Sequence, residues 1–303
     1  MIKGKLAENN YKPRFSGHET FPFRYLWISK LLISIQNHGS ENVNKMSLMD
    51  LMVLWGCGAN MTKSIKHWCI ALDIIDHKYN LSEFGQLLLE KDPYLEDQQT
   101  LWLLHWKIAS NINFTTWFYV FNYMQVSKIN KSDIVNELIS LWPKSSRNTI
   151  ERDVDVFIRT YTLSLNKKGQ MSEDSLECPL SELNLINPTS QKGFYEIQRG
   201  AKPSLTPQVF KYALAEFCIS NLNTSRLISF DNLLYSEPSP AKIFCLPEFA
   251  LSEYLEHLEN DGDDIFKFTD GVGGLKQIEV TKDIDLINIA KLIYKNKGHR
   301  KAA

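Results

Sequence analysis

His18, Glu19 and Arg24 lie close together in the run Phe15-Ser16-Gly17-His18-Glu19-Thr20-Phe21-Pro22-Phe23-Arg24-Tyr25, among several aromatic side chains. An imidazole, a carboxylate and a guanidinium are groups that phosphodiester cleavage can use. His18 would be the general acid or base, Glu19 a ligand to Mg²⁺ or Mn²⁺, and Arg24 a clamp on phosphate charge. Thr20 is placed to cap a helix running through Trp27 and Leu31 with Pro22 in its first turn, and a helix N-terminus favours an anion. Glu19 opposes a bare phosphate there unless it serves a metal or acts as a base. A structural reading stands beside this one: His18 and Glu19 as a buried hydrogen-bonded pair that fixes the N-terminal segment to the core. No compact set of two carboxylates and a lysine with nuclease spacing is present.

Basic residues on two helical pairs form the next candidates. In the first pair, Ser47 caps a helix with Asp50 three residues on, a capping-box arrangement. Leu48 to Trp55 is apolar nearly all round, which predicts burial. Gly56-Cys57-Gly58 stops that helix, and Asn60 is positioned to cap the next. There Met61, Ile65, Trp68 and Leu72 recur at core spacing, while Lys63 and Lys66 occupy the other face. A short extended piece at Tyr79-Asn80-Leu81 and a helix capped by Ser82 follow. The order resembles a helix-turn-helix with a basic outer face for a nucleic-acid groove; an ordinary helical hairpin with solvated lysines fits it too.

In the second pair, Ser132 caps a helix carrying Ile134, Leu138 and Leu141, ended by Pro143. Ser145 or Ser146 starts another in which Ile150, Val154, Phe157 and Tyr161 face the core. Its first turn holds Arg147 and Asn148, where a recognition helix comes nearest the base edges, and its outer face holds Arg152, Asp155 and Arg159. Asp155 between two arginines also admits a salt-linked surface of little energetic weight.

The elements that must position these residues come from a 303-residue chain, 44% hydrophobic and 23% charged, with seven Trp. That composition suits a globular protein of two or three domains, and the helical spacings along it make the fold mainly α. No apolar run is long enough for a membrane span, and the polar start does not resemble a signal peptide. The five cysteines are widely spaced without a C-x-x-C pair, which predicts reduced thiols in a cytoplasmic protein. A formal net charge of −1 excludes a chain that coats nucleic acid by bulk charge, so any DNA contact must be local.

Core spacing stops at Leu165. Polar residues Asn166 to Gln170 and Ser172 to Ser175 then divide a helical domain at 1–165, with its two helix-turn-helix-like units, from a winged-helix-like domain at 176–303. In the latter, Tyr195-Glu196-Ile197 alternates like a strand, while Thr206-Pro207, Ser229 and Ser239-Pro240 each open a helix. A helix spans Phe249 to Leu258, and strands at 265–268 and 277–280 flank a glycine-rich hairpin tip, Asp270 to Gly274. The basic tail from Lys295 to Lys301 reads as disordered. Asp92, Glu96 and Asp97 make an acidic connector, a weak metal candidate and a better helix cap.

Several runs carry a resemblance. They are F-S-G-H-E-T-F-P-F-R-Y at 15–25, G-x-G-x-N-M at 56–61, S-I-K-H-W at 64–68, D-P-Y-L-E-D at 92–97, T-L-W-L-L-H-W at 100–106, R-D-V-D at 152–155 and E-D-S-L-E-C-P-L at 173–180. Together they resemble the bacterial SspB-like family, which accompanies DNA phosphorothioation genes in anti-phage defence. Leu26 and Ala59 depart from the family pattern, which has Gly and Lys there. The resemblance implies a DNA-binding component that nicks duplex DNA for sulfur insertion, working with a cysteine desulfurase, an ATPase and a PAPS-reductase-like enzyme. It assigns no catalytic residues. A non-catalytic adaptor, a homodimer, or a helical scaffold without DNA contact are also compatible with the chain. On the residues alone, Asn60, Lys63, Lys66, Arg147, Asn148, Arg152 and Arg159 are the expected DNA contacts, and His18, Glu19 and Arg24 the expected cleavage groups.

Overall fold

The computed structural model describes residues 4–8, 10–124, 126–162, 178–222, 226–259, 265–270 and 276–295. The predicted polar linker after Leu165, the glycine-rich hairpin tip and nearly all of the basic tail lie outside them. The chain divides into two units, Met1–Gln198 and Arg199–Ala303.

After a 3₁₀ turn at Gly4–Ala7, the first unit runs through α1 (Tyr25–His38), α2 (Ser40–Lys45), α3 (Leu48–Trp55), α4 (Ala59–Ala71), α5 (Glu83–Lys91), α6 (Gln98–Ser110) and α7 (Thr115–Tyr123). Then come β1 (Lys128–Asn130), α8 (Lys131–Leu141), α9 (Arg147–Tyr161), a 3₁₀ turn at Pro179–Leu183, β2 (Ile186–Pro188) and β3 (Phe194–Ile197). Its core is aromatic: Trp68 meets Trp117 edge-on at 5.6 Å between ring centroids, and Trp117 meets Phe157 at 5.5 Å. Such pairs add roughly 0.5–1.5 kcal/mol each beyond the area they bury. Helix α6 runs through this core with every residue from Thr100 to Ala109 buried.

Helix α3 does not follow its all-round apolar pattern into the interior. Its capping box forms as expected, with Ser47 and Asp50 bonded reciprocally, and it packs on α4, with Leu51 and Trp55 buried. Yet Met49 is 65% and Val53 77% exposed. An apolar pattern says that a helix face can be buried; neighbours on that side are still required, and here they are absent among the described residues.

The second helical pair is embedded in a β1–α8–α9–β2–β3 order. β3 lies between β1 and β2, antiparallel to both, with Ile129 opposite Tyr195 and Asn187 opposite Glu196. A strand, two helices and a returning hairpin in the order 1-3-2 make a winged-helix-like module. Because β3 pairs with β1, residues 186–197 complete the first unit. The division therefore falls after Gln198, later than the polar linker suggests. Asn130, not Ser132, caps α8, its side chain accepting from the Asp133 N–H.

The second unit repeats the sheet order, with three helices in place of two between the first strand and the hairpin. After α10 (Pro207–Asn221) come β4 (Leu227–Ser229), α11 (Phe230–Tyr235), α12 (Pro240–Ile243), α13 (Glu248–Glu259), β5 (Phe266–Asp270), β6 (Lys276–Val280) and α14 (Leu286–Ile293). Strand β6 lies between β4 and β5, antiparallel to both. Thr206, Ser229 and Ser239 cap their helices as expected. The protein is thus mainly α, built from winged-helix-like modules with small β wings. No described helix is long and apolar enough to cross a membrane.

Candidate nucleic-acid interface

The segment ahead of α1 is a strap across three helices. The Arg14 N–H and the Tyr11 hydroxyl both bond the Thr115 hydroxyl of α7. Ser64 and Trp68 of α4 donate to the His18 and Phe21 carbonyls. His18 itself, only 3% exposed, turns inward onto α9, where its Nε2 meets Asp153 Oδ1 at 2.8 Å. Its Nδ1 accepts from the Thr20 N–H at 3.1 Å, which assigns the ring hydrogen to Nε2 and makes Asp153 the acceptor. Asp153 Oδ2 accepts from the Thr116 hydroxyl at 2.5 Å, so both carboxylate oxygens are occupied.

This arrangement revises the reading of the N-terminal motif. The partner of His18 is Asp153, not Glu19. With both ring nitrogens bonded and the side chain out of solvent, His18 holds the strap in place and has no nitrogen directed at a substrate. Glu19 and Thr20 take left-handed backbone angles, φ 49° and 66°, which are uncommon for residues with side chains. The strap therefore turns tightly at Thr20 and runs extended through Pro22 before α1 starts at Tyr25, with Arg24 as its N-cap residue. Neither Thr20 nor Pro22 serves the helix start, so the expected phosphate seat there is not formed.

Arg24 and Arg159 converge beside this turn. The Arg24 guanidinium lies over the Phe21 and Trp27 rings at 5.7 and 5.6 Å, and Arg159 donates to the Thr20 carbonyl at 2.5 Å. Both cations are within electrostatic reach of Cys178, whose thiol burial pushes up to about 12 despite them. Cys178 is thus an inert, buried group, and none of the five cysteines is in a disulfide.

The outward side of α9 carries Asn148, Arg152 and Arg159, all exposed and near one stripe at helical spacing. Asp155 pairs with Lys131 of α8 at 2.7 Å, not with the arginines that flank it. Arg152 consequently has no carboxylate partner among the described residues. Arg147 is tied sideways, to Glu151 at 3.0 Å and to Asn136 of α8 at 3.0 Å, so reading a base edge would require giving up those bonds.

The α4 face is weaker than its sequence suggests. Gly58 is its N-cap and Asn60 lies inside the helix, exposed and not capping. Lys63 is exposed. Lys66 lies over the Tyr79 ring at 4.1 Å, and its ammonium is pushed below the ordinary lysine value by burial, partly offset by the Asp76 charge. It is engaged as packing more than as a phosphate contact.

Sequence reasoning passed over Asp153, though the signal was present. It lies three residues after Ile150 and directly before Val154, on the apolar stripe of α9, where a carboxylate must find a partner. Nor do the acidic residues build a metal cage. Asp92 accepts from the Glu96 and Asp97 N–H groups and from Thr100, which closes the connector, while Asp97 caps α6 by accepting from the Gln99 N–H. No three His, Cys, Asp or Glu side chains converge as metal ligands among the described residues. Mg²⁺ can be held by one or two carboxylates plus waters or substrate phosphates, but Glu19 alone is no preformed site.

The family described as "Protein of unknown function (DUF4007)" matches residues 15–294. No curated protein sequence matches. Among solved structures, a magnesium ion-bound SspB crystal structure superposes with a TM-score of 0.81 at 22% identity, covering 97% of this chain and 91% of that one. A second SspB crystal structure gives a TM-score of 0.80 at 24% identity with the same coverage. At that identity the likeness establishes the fold.

His67 of α4 packs against the strap, its ring 5.2 Å from that of Phe114 and 6.2 Å from that of His18, with its Nε2 unbonded. Burial lowers its imidazole from 6.5 to about 4, with smaller contributions from the neighbouring His18 and Arg14. The unfolded chain therefore protonates this residue first. The stability it contributes is complete above pH 6.5 and is lost as pH falls from there toward 4. Between pH 7 and 4.5, wild type should lose about 2–3 kcal/mol more than His67→Gln in urea unfolding. Identical pH dependence in the two proteins would contradict this account of the strap.

Proposed function

Since the chain belongs to the DUF4007 family, its role has to be read from its own surface, and we propose that it is the DNA-binding component of a bacterial DNA phosphorothioation system. The observation that carries this reading is the α9 stripe. A helix inside a winged-helix-like module presents Asn148, Arg152 and Arg159 outward, and its flanking acid is neutralised by Lys131. Arginines on such a face bond phosphate oxygens and base edges, while the wing and neighbouring helix set the angle of approach. Lys63 on α4 adds a further cation. The corresponding helix of the second unit, α13, exposes Glu248, Glu253 and Glu256 instead, a face that repels phosphate. This difference in charge supports duplex contact through the first unit. The cysteine desulfurase, ATPase and PAPS-reductase-like enzyme would then be its protein partners, with the chain acting as the adaptor that brings them to DNA.

Nicking by the chain itself is a second reading, favoured by the strained turn at Glu19–Thr20. Left-handed non-glycine residues cost roughly 1–3 kcal/mol each and gather at functional sites. This turn leaves Glu19 half-buried, and Arg159, at the C-terminal end of the α9 stripe, holds its Thr20 carbonyl. His18 enters only as the residue that holds the turn.

Two measurements separate these readings. Arg152→Ala should weaken binding to duplex DNA several-fold at low salt and reduce the slope of log affinity against log salt by about one. An unchanged slope would remove Arg152 from the interface. In a plasmid-relaxation assay with Mg²⁺, Mn²⁺ or EDTA, intrinsic nicking predicts open circles that vanish with Glu19→Ala. Plasmid that stays supercoiled under every condition while still shifting in a gel leaves the adaptor reading.

A further inference from the structure

The outer side of α3 is an apolar ridge that nothing described in the chain covers. Met49 and Val53 stand out from it, with Leu48 and Leu54 exposed beside them. Next to the ridge, between α1 and α3, lies a groove of about 340 Å³ lined by Leu26, Ile33, Leu54 and Tyr94. Ser29 also lines it, 4% exposed, with its hydroxyl unbonded. A hydroxyl held out of solvent without a partner costs free energy until something bonds it. The groove is therefore unfinished as it stands.

We infer that this face is the interface between two copies of the chain. Ridge and groove adjoin on one surface, so a two-fold axis can set Met49 and Val53 of each copy into the groove of the other, as an isologous contact requires. Self-docking brings like charges together, and this surface carries almost none. Asp50 is the sole ionisable residue of α3, and its carboxylate is turned back onto Ser47 in the capping box. Lys30, in the groove wall, gives its ammonium to the Trp55 carbonyl at 2.5 Å. An acidic or basic partner would find little here to pair with, whereas a second copy needs no charge to match. The size also fits. The exposed apolar side chains of ridge and groove leave on the order of 600 Å² per copy, at the top of what monomers expose and near the share of one partner in a standard interface. A polar group of the incoming copy would complete Ser29.

This inference does not depend on DNA binding, and its test is the mass of the full-length chain in solution without DNA. Light scattering during gel filtration, from 1 to 100 µM or so, should give twice the 35.0 kDa chain mass at the upper end. Val53→Glu on the ridge and Leu26→Glu in the groove are both surface changes in the single chain, so the fold should persist, checked by near-UV circular dichroism. Each should raise the dimer dissociation constant by more than about tenfold, because it buries an unpaired charge in the contact. A wild-type chain that stays monomeric throughout, or a dimer indifferent to both substitutions, would overturn the proposal.

Discussion

The contact between His18 and Asp153 is the constraint on which the first unit rests. It buries a polar pair whose remaining capacity is filled by the Thr20 amide and the Thr116 hydroxyl. Removing one member of such a pair strands the other, at a cost of about 3–5 kcal/mol when the group left behind is charged. Because the strap also receives bonds from Ser64 and Trp68, the pair fastens α4 and α9, the second helices of the two helical pairs, to one short stretch of chain. The left-handed turn at Glu19 and Thr20 exists because His18 must point inward while Arg159 holds the Thr20 carbonyl from outside.

That geometry separates the residues that build the surface from those that can act on it. His18 and Asp153 are enclosed, and so they determine where Glu19, Arg24 and Arg159 lie. Arg152 and Asn148 owe their outward direction to the apolar stripe beneath them, where Ile150, Val154 and Phe157 have no exposure. Charge then distinguishes the two winged-helix-like modules. One sheet order occurs twice, but α9 shows arginine to solvent where α13 shows glutamate, so shared architecture does not imply shared contacts.

Much of this was legible in the sequence because it is local. The capping box at Ser47, the caps at Thr206, Ser229 and Ser239, and the core stripe of α9 depend on residues a few positions apart. What sequence spacing missed was decided at long range. The end of the first unit depends on β3 pairing with β1, some distance along the chain, and the strap depends on His18 meeting a carboxylate on α9. Thr20 reads as a helix cap until tertiary contacts pull it into a turn. The α3 pattern correctly marked an apolar surface, yet only the neighbours of a helix decide whether such a surface is interior or left for a partner.

The most direct test of the account is where duplex DNA touches the protein. A benzophenone amino acid placed at Asn148 on α9, or at Glu253 on α13, would be irradiated with labelled duplex at low salt. The account predicts crosslinks from position 148 that excess unlabelled duplex suppresses, and background only from position 253. Crosslinking from 253 with none from 148 would contradict it and move the DNA contact to the second unit.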